Sequence, residues 1–179
     1  MDAHVLMLTG PPGAGKTTVA RLLTAANARA VHLESDVFFH FITSGYIAPW
    51  TDEAHSQNTV VMDAVATAAA KYAHAGYFTV IDGILGPRWF FTAVRDGLAA
   101  QGCQVAYAVL RPQLDVALRR AATRSPATLS DPAVIRKLWA GFHGLDPCME
   151  SHVFDTTNET PDETAQRVRQ QLQRGALRV

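Results

Sequence analysis

The sequence predicts an α/β fold, a parallel sheet covered by helices on both faces, and three observations predict it. Short apolar runs alternate with helix-length stretches along the whole chain. The first run, His4–Thr9, stops at a glycine- and proline-rich turn that opens directly into a helical pattern. The 179 residues, 48% apolar and 18% charged, supply the length of one domain and the apolar surface of a full core. Intrinsic disorder is excluded, because it needs low hydrophobicity and high net charge.

The elements follow in order. HVLMLT at the start reads as a fully buried strand. Residues 17–26 form a helix with Val19, Ala20, Leu22 and Leu23 as its apolar face. Residues 30–33 are a second strand, closed by Glu34-Ser35-Asp36, and residues 37–43 are expected to be helical. A turn-rich link, 44–49, leads to a long Ala-rich helix over 52–74, with Gly76 suited to its end. Strand three, 78–81, is closed by Asp82-Gly83; a helix over 88–100 starts just after Pro87. Strand four spans 105–110, and Pro112 precedes a helix over 113–124. Residues 125–131 are polar and irregular, and 132–141 are a helix with proline near its first position. A fifth short strand spans 152–154. The last helix, 161–174, has Thr160 as N-cap and Glu163 at the capping-box position. No repeat or Ser/Gly linker divides residues 1–179, so a single domain is expected.

Sixteen basic residues balance sixteen acidic ones at a pI near 7.1. That balance disfavours a general nucleic-acid binder and polybasic attachment to membranes. Two cysteines, Cys103 and Cys148, make neither a CxxC pair nor a disulfide framework. Met1-Asp2-Ala3-His4 lacks the positive region of a signal peptide, and the longest apolar run, 60–70, is broken by Asp63 and Thr67. The expectation is a cytoplasmic protein, monomeric or a small homo-oligomer.

Residues 10–17, Gly10-Pro11-Pro12-Gly13-Ala14-Gly15-Lys16-Thr17, match GxxxxGK[ST] in full. Glycines let backbone N–H groups turn toward an anion, and the helix behind them, entering through Thr18, adds its dipole. Lys16 can reach β- and γ-phosphates, and the Thr17 hydroxyl can coordinate Mg²⁺. The strand before the motif and the helix after it supply the context that such a phosphate loop demands. Two carboxylates stand at the C-terminal ends of strands, where ligands of open α/β sheets bind: Asp36 after strand two and Asp82 at the end of strand three. Either could be an ordinary helix cap. Asp82 follows Phe78-Thr79-Val80-Ile81 in a Walker-B-like pattern that suits Mg²⁺. Arg119, Arg120 and Arg124 form a cluster, and Arg120 and Arg124 share one helix face at i, i+4. Like charges on one face repel unless an anion such as a triphosphate lies against them; otherwise they are a solvated face.

With these features in this order, the chain resembles the small P-loop kinases, among them gluconate kinase, shikimate kinase, adenylate kinase and chloramphenicol phosphotransferase. It looks closest to bacterial P-loop kinases often labelled AAA-type ATPases, through Ser35-Asp36, Pro49-Trp50, residues 75–78, Asp82-Gly83 and residues 129–132. The resemblance implies a five-stranded parallel sheet in the order 2-3-1-4-5, an acceptor-binding region over 37–76 and a short lid over 120–132. It implies ATP with Mg²⁺ as cofactors, Asp36 facing the acceptor hydroxyl, and Arg120 and Arg124 contacting the transferred phosphate or the base. Residues 155–158, with Thr156 and Asn158, match the loop that borders adenine. Which of Asp36 and Asp82 is the base stays open, as does the choice between ATP and GTP.

Between Arg29 and Lys71 there is no lysine or arginine. Kinases of anionic acceptors usually grip them with arginine in this region, so a polyanion is disfavoured, although Arg88 could add one contact. The region is aromatic instead, with Phe38, Phe39, Phe41, Tyr46 and Trp50, joined later by Trp89 and Phe90. Some of these rings belong to the core; the rest, with His55, Gln57 and Asn58, could wall an apolar pocket. His40 and His55 are candidate acid–base groups, but the seven histidines show no metal-ligand spacing. The expected activity is ATP-dependent phosphorylation of a hydroxyl on a small molecule. The competing readings are a regulatory NTPase, which would need a base-specificity motif that is absent, and a polynucleotide end kinase, which the neutral charge disfavours.

Overall fold

The computed structural model describes residues 4–87, 89–123, 129 and 131–179. Five strands, β1 (His4–Thr9), β2 (Ala30–Glu34), β3 (Phe78–Gly83), β4 (Gln104–Leu110) and β5 (Val153–Phe154), form one sheet in the order β2-β3-β1-β4-β5. All four pairings are parallel, so every strand delivers its C-terminal residue to the same edge. The helices are α1 (Lys16–Ala25), α2 (Ser35–Phe39), α3 (His55–His74), α4 (Phe91–Ala100), α5 (Leu114–Ala122), α6 (Pro132–Ala140), α7 (Pro147–Glu150) and α8 (Pro161–Gln173). None of the described helices is long and apolar enough to cross a membrane.

Side-chain alternation along the strands divides the core into two layers. On one face Val5, Met7, Ile81, Val105 and Tyr107 pack with Val61, Val65 and Ala69 of α3 and Phe91, Val94 and Leu98 of α4. On the other, Leu6, Leu8, Val80 and Ala108 pack with Val19, Ala20 and Leu23 of α1 and Ala165 and Val168 of α8. The α8 start is the expected capping box: Thr160 Oγ1 accepts from Glu163 N and Glu163 Oε2 accepts from Thr160 N.

Four elements differ from the sequence expectation. The helix expected over 37–43 begins earlier and ends at Phe39; residues 40–42 continue it only as tightened turns, each N–H bonding the carbonyl three residues back. This stretch is rich in β-branched and aromatic residues, which hold an α-helix poorly. The long helix begins at His55, because Asp52–Ala54 is a 3₁₀ turn. The helix after strand three starts at Phe91 rather than 88: Pro87 sits inside a turn closed by Trp89 N to Gly86 O at 2.9 Å. The four-residue α7 was not anticipated. Arg88, and residues 124–128 and 130 of the expected lid over 120–132, Arg124 among them, lie outside the described residues.

Candidate active site

The phosphate loop runs along the sheet's C-terminal edge between β1 and α1. Gly13 and Gly15 hold φ of 80° and 89°, where a side chain is strained. A Cβ on Gly13 would lie 2.1 Å from the Ala117 carbonyl oxygen, so the loop is seated directly on α5. A Cβ on Gly15 would meet nothing within 4 Å, so the loop opens to its ligand side there. Gly15 is also the N-cap of α1 and makes no side-chain cap, which leaves the first amides of the helix facing the same space. That space is a cleft of about 280 Å³ lined by residues 13–19 together with Arg120, Thr156, Glu159, Pro161 and Thr164. Lys16 Nζ donates to Pro11 O at 3.3 Å, curled over its own loop.

Asp82, at the end of β3, meets this region through Thr17. It is 4% exposed, and its Oδ2 accepts from Thr17 Oγ1 at 2.6 Å. The same oxygen lies 3.3 Å from His32 Nε2. Burial pushes the Asp82 pKa up, but the His32 hydrogen bond, the Lys16 charge and the Thr17 hydroxyl together outweigh it and hold the carboxyl below its ordinary value. Asp82 is therefore no helix cap, and the two residues assigned to Mg²⁺ by sequence are in direct contact.

Arg120 lines the cleft with its fork turned to the following loop, Nη2 donating to Thr156 O at 3.1 Å and, at 3.4 Å, to Thr157 O. Arg119 does not join it; Arg119 pairs with Asp115 at 2.6 Å on the solvent face, the ordinary i, i+4 arrangement. Arg124, the other member of the expected pair, lies outside the described residues. Thr156 is buried, and its Oγ1 has no hydrogen-bond partner. Asn158, two residues on, is exposed. Glu159 and Thr164, not anticipated from sequence, complete this wall: Thr164 Oγ1 donates to Glu159 Oε2 at 2.8 Å, and Arg167 pairs with Glu159. Their separation in sequence from the phosphate loop hid them.

Asp36 stands in the first turn of α2, exposed, at the same sheet edge. It does not cap the helix, whose N-cap is Glu34. Ser35 beside it is buried against β3, where a Cβ on Gly83 would lie 2.2 Å from Ser35 Oγ. The dipeptides Ser35-Asp36 and Asp82-Gly83, each weak alone, are thus one packing unit. Partial burial and the nearby Asp36 charge push the Tyr46 hydroxyl above its ordinary pKa. Val37, Phe41, Tyr46, Ile47 and Trp50 are all exposed, whereas Phe39 is core. Gln57 braces this segment, accepting from Ile47 N at 2.8 Å and donating to Ile47 O at 2.7 Å. Asn58 donates to Pro49 O at 2.8 Å. His40 is exposed, and His55 stacks on Phe90.

The residues present fit a nucleotide and its cation. The glycine cradle is open on the side where a Cβ would meet nothing, and the cleft wall carries a buried hydroxyl without a partner. A hydroxyl beside one carboxylate is a hard oxygen set suited to Mg²⁺, which takes few protein ligands and completes its shell with phosphate and water. No cage of three or more His, Cys, Asp or Glu occurs among the described residues.

Comparison with solved structures gives the same fold. A sugar kinase from Janibacter sp. HTCC2649 superposes with a TM-score of 0.68 at 22% identity over 97% of this chain and 95% of its own. APS kinase of Mycobacterium tuberculosis, in complex with AMPPNP and APS, gives 0.70 at 19% identity over 96% and 98%. A gluconokinase from Sinorhizobium meliloti 1021 gives 0.69 at 17% identity over 97% and 94%. No curated protein sequence matches the chain. The fold is that of the small P-loop kinases, as the sequence resemblance implied. The sequence pattern of one family, described as "AAA domain", matches residues 5–145, from the first strand through α6, and the chain belongs to that family.

Proposed function

We propose that the chain transfers the γ-phosphoryl group of ATP to a hydroxyl of a small molecule that is not a polyanion. One observation carries this reading: Asp82, bonded to Thr17, is in register with Glu34 on β2, and a second carboxylate, Asp36, stands exposed two residues further on. A kinase needs one carboxylate on the metal side and another on the acceptor side. In this reading the phosphate loop and Lys16 hold the β- and γ-phosphates, and Thr17 and Asp82 hold Mg²⁺, whose charge offsets that of the phosphates. Arg120 lies along the nucleotide, with Thr156 and Asn158 bordering the base. Asp36 accepts the acceptor's hydroxyl proton as that oxygen bonds to the γ-phosphorus and the bond to the β,γ-bridging oxygen breaks, releasing ADP. The absence of Lys and Arg between positions 29 and 71, and the exposed apolar side chains between 37 and 50, support an uncharged or cationic acceptor with an apolar face.

The test is ADP release by the full chain with Mg·ATP against a panel of hydroxylated metabolites and antibiotics, with an oligonucleotide beside them. ADP formation that depends on one small hydroxyl compound, with phosphate recovered on it, supports the reading. Acceptor-independent phosphate release, or phosphate on the oligonucleotide end, replaces it with an NTPase or a polynucleotide kinase.

A further inference from the structure

His32 is a residue that the proposed reaction does not use, and its place in the fold calls for a reason. It lies on β2 on the α1 side of the sheet, and its side chain is 12% exposed. The neighbouring positions of that layer are aliphatic, among them Leu6, Leu8 and Val80. An imidazole buried there is costly unless it is hydrogen-bonded. Its Nε2 lies 3.3 Å from Asp82 Oδ2, the same oxygen that takes the Thr17 hydroxyl at 2.6 Å. Its other nitrogen, Nδ1, faces Glu34 Oε1 at 3.9 Å, and that carboxylate is drawn outward by Arg21 Nη2 at 2.9 Å. An ordered line of side chains, Arg21, Glu34, His32, Asp82 and Thr17, therefore ends beneath the phosphate loop.

We propose that His32 is a positioning residue that fixes the plane of the Asp82 carboxylate for Mg²⁺-nucleotide binding. The idea rests on the reading that Thr17 and Asp82 hold the cation. Both bonds to Asp82 converge on the one oxygen Oδ2, so together they restrain rotation of the carboxylate. Thr17 is itself a metal-side group, so its bond to Asp82 is the one that metal binding competes for. His32 has no such competing task. Its neutral Nε2–H form suffices, with no change of protonation. Partners of this kind behind a metal ligand typically govern affinity by about 10- to 100-fold.

The test is calorimetric titration of ATP into the full chain, once with Mg²⁺ and once with EDTA. His32→Leu is expected to weaken Mg·ATP binding about tenfold and leave metal-free ATP binding unchanged. His32→Gln, which retains an N–H donor, should recover much of that loss. In an Asp82→Asn background, His32→Leu should add nothing. Equal losses with and without Mg²⁺, an additive loss in the Asp82→Asn background, or no loss at all would overturn the proposal. The wild-type protein supplies a second readout that needs neither metal nor a stable variant. Long-range ¹H–¹⁵N spectra should show His32 protonated at Nε2, whereas a neutral Nδ1–H form would overturn the proposal. Wild-type protein that binds no ATP would overturn this inference and the kinase reading together; Mg²⁺-dependent binding indifferent to His32 overturns this inference alone.

Discussion

The phosphate-loop cleft and the proposed acceptor face share one edge of the sheet but are built from different materials. The cleft is mostly main chain: glycines at positive φ, the free end of α1 and a carbonyl of α5 pressed against the loop. The proposed acceptor face is side chain, an exposed set of rings and aliphatics on residues 37–50 that few hydrogen bonds brace. A triphosphate is the same in every nucleotide, so backbone geometry can serve it in many proteins. An acceptor differs from enzyme to enzyme, and only side chains can read it. Conserving the first and varying the second is how one fold hosts many substrates.

Substitutions can break or sharpen this contrast. The largest effect is expected from Lys16→Ala, one of the few side chains on which the cleft depends. ATP binding and turnover should be lost, because the neutral side chain cannot offset the β,γ-phosphate charge in a partly dehydrated site; unchanged affinity by calorimetry would remove the phosphate-loop assignment. Next is Asp36→Asn, nearly isosteric, which should leave ATP affinity intact and lower kcat for the acceptor by about 10²-fold or more. A wild-type kcat would make Asp82 the next candidate base.

A pair of alanine substitutions separates seating from opening within one loop. Gly13→Ala meets the Ala117 carbonyl oxygen at 2.1 Å and should lower both Tm and nucleotide affinity sharply. Gly15→Ala, with no protein atom within 4 Å, should cost the fold only the left-handed backbone strain, about 1–2 kcal/mol, and act on nucleotide affinity through a Cβ on the ligand side. On the other side of the contrast, Trp50→Ala should raise the acceptor KM about tenfold, the loss of about 1.4 kcal/mol of contact, and leave ATP affinity alone. A change in ATP affinity would mean that the two regions are coupled.

The smallest expected effect is in stability against pH. The Asp82 pKa is held below its ordinary value of 3.8 in the folded protein. Between that depressed value and 3.8 the unfolded chain binds more protons, so stability rises with pH across this window. The contribution is present above it and lost as pH falls through the folded pKa. Denaturant unfolding at stepped pH should show this loss in the wild type and a flatter profile in Asp82→Asn.

Much of this organisation was legible before any coordinates. The phosphate loop was, because glycine spacing encodes backbone shape directly, and so was the Thr160–Glu163 cap. Asp82 could be singled out from its strand, but its contact with Thr17 joins positions 65 residues apart. His32 was missed because a lone histidine in a short strand has no spacing to betray it. Arg111 was missed for the same kind of reason. Its guanidinium at the end of β4 grips both oxygens of Glu150, at 2.8 and 2.9 Å, and the Phe142 carbonyl at 2.8 Å. That clamp explains why the unanticipated α7 forms where it does. Pro87 misled because a proline suits the start of a helix and the second position of a turn equally well.

The three tryptophans are distributed unevenly over these regions. Trp50 lies on the exposed segment proposed to meet the acceptor. Trp89 lies across Gly86 and Gly141, edge-on to Phe142, where a Cβ on either glycine would strike its ring. Trp139 anchors α6 by donating to Pro112 O at 2.9 Å and lies against the His143 ring. None lines the nucleotide cleft. The chain therefore carries its own optical probe: ultraviolet emission reports on the segment around Trp50 and on α6, and a compound that settles near Trp50 announces itself without a label.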